Sequence, residues 1–431
     1  MKHRYFFQAA IALLVIVLIL SIAKNQKHHS HNDAGFYPLK ERSGAMAQSD
    51  ETKQVKKQFG DLMKIVRTNE DDTKSRIALA TLYIQEARVT GQHGYYEKAA
   101  LKYLEEVLAK EPKHFEALTF KALVNLSQHH FAEGLAIAEK ARANNPDNAF
   151  VHGLLVDANV ELGNYARAIE EAEKMISLRP DIRSYSRISY LREIHGDYPG
   201  AIEAMKLAVD AGMPGDEATE WTRVQLGKLY ETTADVKNAE MHYEIALQKR
   251  PGYAYAIVGQ GRIAMANKNY TKAIQYFEQA DALIDDHSIK EAMADAYELN
   301  GQKEKADAII QSLIKEMSHE ANHENSHHHI GLELANVYLK AGDYDEALHH
   351  AIAEYNRRPS NIDVNEMAAW IYYNKKEYEK ALPYMEAAMK TNSKNPVLLS
   401  RAALIFAKTG DTAKAKSLLN EITNAKFILP E

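Results

Sequence analysis

The stretch Glu220-Trp-Thr-Arg-Val-Gln-Leu226-Gly227-Lys-Leu-Tyr230-Glu-Thr-Thr-Ala-Asp-Val-Lys-Asn-Ala239-Glu-Met-His-Tyr243-Glu-Ile-Ala246-Leu-Gln-Lys-Arg-Pro251 decides the fold. It reads as two amphipathic helices joined by a short turn. Gly227 and Ala239 are small where the two helices must cross, since bulk there would separate their axes. Tyr243 fills the space beside that contact. Pro251 lacks an N–H, so it ends one helix or begins the next. Outward from this unit, Pro112, Pro146, Pro180 and Pro214 stand 34 residues apart. A period of that length marks an array of helix-turn-helix units.

The unit resembles the tetratricopeptide repeat, whose pattern places a Leu-Gly pair, a Tyr, an Ala, an aromatic, a second Ala and a Pro at these offsets. The offsets recur. Turns read Gly163-Asn164-Tyr165, Gly196-Asp197-Tyr198, Lys268-Asn269-Tyr270, Gly342-Asp343-Tyr344 and Gly410-Asp411-Thr412, each followed by Ala168, Ala201, Ala273, Ala347 or Ala415. Gly supplies a left-handed helix cap and Asn or Asp the next N-cap. The crossing position holds Ala122, Val156, Ser189, Gly227, Gly261, Ala294, Ala335, Ala369 and Ala403, small at all but one place. The resemblance implies an all-α, right-handed superhelix of about ten repeats over residues 59–425, with a tail at 426–431. Insertions are expected at Arg88–Gly94, Met213–Asp216 and Ser318–His328. The run Ser184–Gly215 is also similar to one repeat of a group of bacterial envelope tetratricopeptide proteins. The family serves many tasks, so the resemblance implies fold and not ligand.

A net charge of −6 argues against a nucleic-acid partner. The absence of cysteine excludes disulfides and thiolate chemistry. At the N-terminus, Lys2 and Arg4 precede the apolar run Phe6–Ala23. As a helix it spans about 27 Å, enough to cross a bilayer core. Residues 1–23 therefore read either as an uncleaved signal anchor or as a signal peptide cut after Ser21-Ile22-Ala23. Both place the repeats on the extracytoplasmic side of a membrane. Residues 24–58 are polar and read as a flexible tether.

Around His319-Glu320-Ala321-Asn322-His323-Glu324-Asn325-Ser326-His327 the metalloprotease pattern His-Glu-x-x-His occurs twice. On a helix it would present two imidazoles and a general base. Here the flanks are polar, the stretch lies between repeats, and no protease domain surrounds it. The chain therefore reads as a non-enzyme without a cofactor. Metal binding by His319, His323 and His327 in the insertion 319–329 is the alternative function, with a zinc metallopeptidase further behind.

In the resembled family the first helices line a concave face. The inward positions hold Arg183, Tyr190, Trp221, Lys228, Tyr255 and Arg262 in repeats four to six, with Arg187 one step aside. In repeats seven to nine they hold Glu291, Asp295, Glu298, Asp363, Glu366 and Trp370. A groove with a basic-aromatic stretch followed by an acidic one is expected. Its partner is a protein or peptide segment, acidic or amphipathic, held by a membrane-tethered scaffold.

Overall fold

The computed structural model describes residues 37–69, 71–322 and 329–425. Arg42 onward forms one compact unit; of the preceding unit only residues 37–41 are described, and they carry no helix or strand. Phe6–Ala23 lies outside the described residues. Among those that are described, no helix is long and apolar enough to cross a membrane.

The described residues contain helices and no strands. A lone helix, α1 (Asp50–Thr68), is followed by ten pairs: α2 (Thr73–Thr90) with α3 (His93–Lys110), α4 (Phe115–Ser127) with α5 (Phe131–Asn144), α6 (Ala149–Glu161) with α7 (Tyr165–Leu178), α8 (Ile182–Ile194) with α9 (Tyr198–Asp210), and α10 (Glu217–Thr232) with α11 (Val236–Lys249). The second five are α12 (Ala254–Ala266) with α13 (Tyr270–Asp281), α14 (His287–Leu299) with α15 (Lys303–Asn322), α16 (Gly331–Lys340) with α17 (Tyr344–Arg357), α18 (Ile362–Asn374) with α19 (Tyr378–Ala388), and α20 (Pro396–Lys408) with α21 (Thr412–Ala425). Phe59, where the sequence places the start of the array, lies inside α1. That helix begins within the stretch read as tether because Ser49 caps it, accepting from the Thr52 N–H, and because Arg42 ties Glu51 to Glu86 of α2.

The pairs form where the sequence expects them, for the reasons expected. The crossing residues Ala122, Val156, Ser189, Ala294, Ala335, Ala369 and Ala403 are buried, as are Ala168, Ala201, Ala239, Ala273, Ala347 and Ala415 on the second helices. At Gly227 an added Cβ would run into the Tyr243 ring, and at Gly261 into Phe277. Asp197, Asn269 and Asp343 cap the second helices by accepting from the backbone N–H three residues on. Asn164 instead donates its amide to Asn159. Gly163 and Gly342 hold the left-handed backbone of the turn at φ 76° and 77°.

The core is a line of clusters, each shared by neighbouring repeats, as stacking demands. One runs from Tyr198 to Ile263, the next from Ala254 to Val337, and a third from Ala369 to Ile422. Among the described residues Ile362, at the start of α18, breaks the order by packing with Val156, Val160 and Tyr165 of the third repeat.

That exception belongs to a seam. Hydrogen bonds join residues 197 to 200 positions apart: Arg250 to Glu51, His129 to the His329 carbonyl, Asn361 to the Glu161 carbonyl, and the Ile362 N–H to the Tyr165 hydroxyl. This separation equals about six repeats of 34 residues, so the coil closes one turn in about six repeats and the next turn lies directly against it.

Candidate functional site

The first helix of each pair turns one side toward the interior of the coil. Arg88, at the end of α2, reaches Glu217 of α10 at 3.0 Å and lies 5.8 Å from the centre of the Trp221 ring. The hydroxyl of Tyr253 donates to the same Glu217 at 3.0 Å, and the Tyr253 ring meets Tyr255 edge-on at 5.6 Å. Tyr190 of α8 is a large side chain left 39% exposed on this face.

The three arginines named from sequence are already engaged. Arg187 forks onto Asp157 of the preceding repeat, with Nε to Oδ1 at 2.8 Å and Nη2 to Oδ2 at 2.5 Å, and Nε also donates to the Gly153 carbonyl at 3.1 Å. Arg183 stacks over Phe150 at 5.0 Å. Arg262 donates to Glu231 at 2.9 Å and to the Tyr243 hydroxyl at 2.9 Å, while that hydroxyl donates onward to Glu231. Asp157 and Glu231 neutralise Arg187 and Arg262, two of the four cations that the sequence assigns to repeats four to six, while Arg183 rests on an aromatic ring. These pairs arise because each carboxylate partner lies on the neighbouring first helix.

Lys228 has no hydrogen-bond or ion-pair partner among the described residues. Its side chain is open to solvent, yet enclosure by the walls of the coil lowers its pKa to about 8, with Arg262 adding to the effect and Glu231, Glu193 and Asp286 opposing it. Glu193 is likewise without a partner among the described residues. Burial pushes it up to about 7, Asp363 pushes the same way, and Lys228 opposes. Asp363 of α18 is raised by burial, against the pull of Arg358. Glu161 is pushed up to about 7 by burial, with Arg358 opposing and Asp363 and Asp157 adding. Tyr190 stands between these groups: its ring keeps an open side, but enclosure by the surrounding protein and then Asp363, Glu161 and Glu193 raise its hydroxyl well above the usual range.

The acidic stretch is present too. Asn336 donates to Glu291, which burial pushes up to about 7; Lys340 pairs with Asp295, and Arg401 with Glu366 at 2.9 Å. Trp370 stacks on Tyr373 at 4.8 Å beneath Arg401. The sequence places this stretch downstream of the basic one. In the folded chain its ninth repeat comes round to the fourth, so Asp363 acts on Tyr190 and Glu193 directly. A linear reading of repeats has no means of showing this.

Glu193, Asp157, Glu161 and Glu231 were not among the expected site residues. Glu193 and Glu231 stand twelfth in their repeats, an inward offset, and that register was the available signal. His319 lies near the end of α15; His323 and His327 lie outside the described residues. Among the described residues no group of three His, Asp or Glu side chains is placed to hold a metal ion.

The chain is similar to several solved structures. Among solved structures, a human IFIT1 dimer with m7Gppp-AAAA is 16% identical over 81% of this chain and 78% of that one, with a TM-score of 0.51. The pilF protein of Pseudomonas aeruginosa is 14% identical over 47% of this chain and 90% of its own, with a TM-score of 0.38. A thermophilic tetratricopeptide protein of Thermus thermophilus is 18% identical over 48% and 98%, at 0.37. A search of curated proteins finds no significant match. The tetratricopeptide repeat model matches residues 86–149, 121–181, 224–287 and 332–396, together just over half of the sequence. With helix pairs, crossings and caps in the same register, the chain belongs to the tetratricopeptide repeat family.

Proposed function

We propose that this chain is a non-enzymatic scaffold that holds an amphipathic segment of a partner protein on the inner face of its coil. Tyr190, Trp221 and Tyr255 give that face aromatic surface, and an exposed aromatic among charged neighbours is the usual anchor of a protein interface. The observation that carries the reading is Tyr190, left open to solvent between Glu193, Asp363 and Glu161. Lys228 offers a cation to a carboxylate of the segment, and Glu193 with Asp363 offer anions to a basic group. Arg183, Arg187 and Arg262 frame the face. Mixed charge of this kind sets the register and direction of a bound segment more than its affinity.

The proposal includes a place in the cell. Phe6–Ala23 behind Lys2 and Arg4 supports a membrane anchor, with the repeats on the extracytoplasmic side of a bacterial envelope. A nucleic-acid partner fits poorly with unpaired carboxylates on the inner face.

The test is capture of partners from the organism's own membranes, followed by a measurement of affinity for the isolated partner. Tyr190→Ala and Trp221→Ala are each expected to cost about 2 kcal/mol, roughly thirtyfold in Kd. If both variants bind as the parent does, the inner face is not the site.

A further inference from the structure

Buried apolar clusters join neighbouring repeats, whereas the seam between successive turns sets charged and stacking contacts around one apolar plug. Arg250 reaches Glu51 at 2.8 Å, Arg357 donates to the His129 carbonyl at 2.8 Å, and Lys390 lies 4.8 Å over the ring of Tyr165. Arg358 pairs with Glu161, and Ile362 is the apolar plug among them. The backbones meet closely. A Cβ on Gly91 would overlap the Asp285 carbonyl, one on Gly163 the Ser360 carbonyl, and one on Gly196 would come within 2.8 Å of the Asn392 oxygen. At the matching turns Gly301, Gly342 and Gly410, which lie away from the seam, nothing stands within 4 Å. Glycine at 91, 163 and 196 is therefore needed for contact between turns as well as for its left-handed backbone.

Such a seam is separable. Each repeat keeps its own core with its neighbours, so parting two turns leaves those cores intact and costs the polar and stacking contacts, the plug at Ile362 and the burial of Arg250, Arg358 and Asn361. At Gly91, Gly163 and Gly196 the backbones of successive turns meet, which closes the space between them at those points.

We propose that the seam between successive turns is a gate, opening while the repeats stay folded and admitting the partner segment to the inner face. This rests on the inner face being the partner site, but the gate can be measured without a partner. In the seam pairs Glu51 stays 40% exposed and Glu161 33%, so salt weakens these pairs and favours the open form. Gly163→Ala places a methyl group in the contact and holds it apart; Gly342→Ala has the same backbone strain and no seam to disturb.

The chain has no cysteine, so Ala166→Cys with Glu386→Cys allows two spin labels to be placed on opposite sides of the seam in the full protein. Pulsed electron resonance is expected to show one short distance at low salt in the parent and in Gly342→Ala. A longer population should grow with salt and dominate in Gly163→Ala, with helical circular dichroism unchanged. Acrylamide quenching of Trp221 and Trp370, the chain's two tryptophans, should rise in step. A single short distance under every condition overturns the gate. So does lengthening that appears only with loss of helix, or lengthening without increased quenching. If Gly163→Ala does not fold, the salt series on the parent decides by the same criteria. Failure to capture any partner would count against the proposed function and leave this result standing.

Discussion

Gly227→Ala and Gly60→Ala should move stability in opposite directions, and the reason is Tyr243. Both glycines lie inside helices, where alanine is favoured over glycine by about 0.5–1 kcal/mol. Around Gly60, on α1, nothing lies within 4 Å of an added Cβ, so that gain should appear undiminished. A Cβ at Gly227 meets the Tyr243 ring, and Gly259 lies against the other side of that ring, 2.6 Å from where its own Cβ would be. The ring is fully buried and its hydroxyl is held by Glu231 and Arg262, so it has nowhere to turn. Overpacking of this kind costs about 1–3 kcal/mol, which leaves Gly227→Ala destabilised by up to about 2.5 kcal/mol after the propensity gain. Tyr243→Ala alone should cost about 3–5 kcal/mol. On that background Gly227→Ala should become stabilising, a reversal of sign that reads the contact directly. Urea unfolding gives the totals; amide exchange in α10 and α11 gives the local effect, which matters because repeat arrays depart from two-state behaviour. If Gly227→Ala stabilises as Gly60→Ala does, in both backgrounds, the crossing geometry is wrong.

Other expectations follow from the inner face and the termini. Glu161, Glu193 and Glu291 hold their protons up to about 7 in the fold, against 4.5 when unperturbed, so their protonation favours folding below that lower value and this advantage is lost as pH rises through 7. Glu193→Gln should raise the melting midpoint at neutral to alkaline pH and leave it unchanged in mild acid; an equal shift at both would contradict the assignment. Lys228 acts in the opposite sense only between about 8 and 10.5, outside that window. Protease added to intact spheroplasts should digest residues beyond Lys24, and full protection would refute the proposed topology. Glu320→Gln with Glu324→Gln should leave no peptidase activity lost, because none is expected. Calorimetry with zinc and copper decides whether the His-rich insertion binds metal; heat of binding that disappears in His319→Ala with His323→Ala would establish the alternative.

Much of the fold was legible because its determinants are local and repeated. Gly227, Gly261 and the alanines at equal offsets announce helix crossings, and Gly163-Asn164 and Gly342-Asp343 announce turns. The inward register of Tyr190, Trp221, Lys228 and Tyr255 followed from counting within a repeat. The seam was not legible. Contacts between residues about 200 apart leave no period in a single chain, and Gly163 looks like Gly342 because both serve the same turn. Only Gly163 has Ser360 against it. The pairing of Arg187 with Asp157 was half visible, since the two stand in adjacent repeats, Asp157 at an inward offset and Arg187 one step aside. Its consequence was not, because a basic residue in a repeat pattern looks free until its neighbour is placed. The start of the array was obscured by α1, which is helical like the repeats but has no second helix to pair with.

The central claim is that the inner face of the coil carries the partner. It is tested most directly by placing a photo-cross-linking amino acid at position 190, on that face, and in a second protein at position 241, an exposed methionine of the second helix α11. Each is expressed in the native organism and irradiated in intact cells. A discrete cross-linked protein from position 190, absent from position 241 and lost when Trp221→Ala is added, is the predicted result. Cross-links from position 241 alone, or from both positions regardless of Trp221, would contradict it.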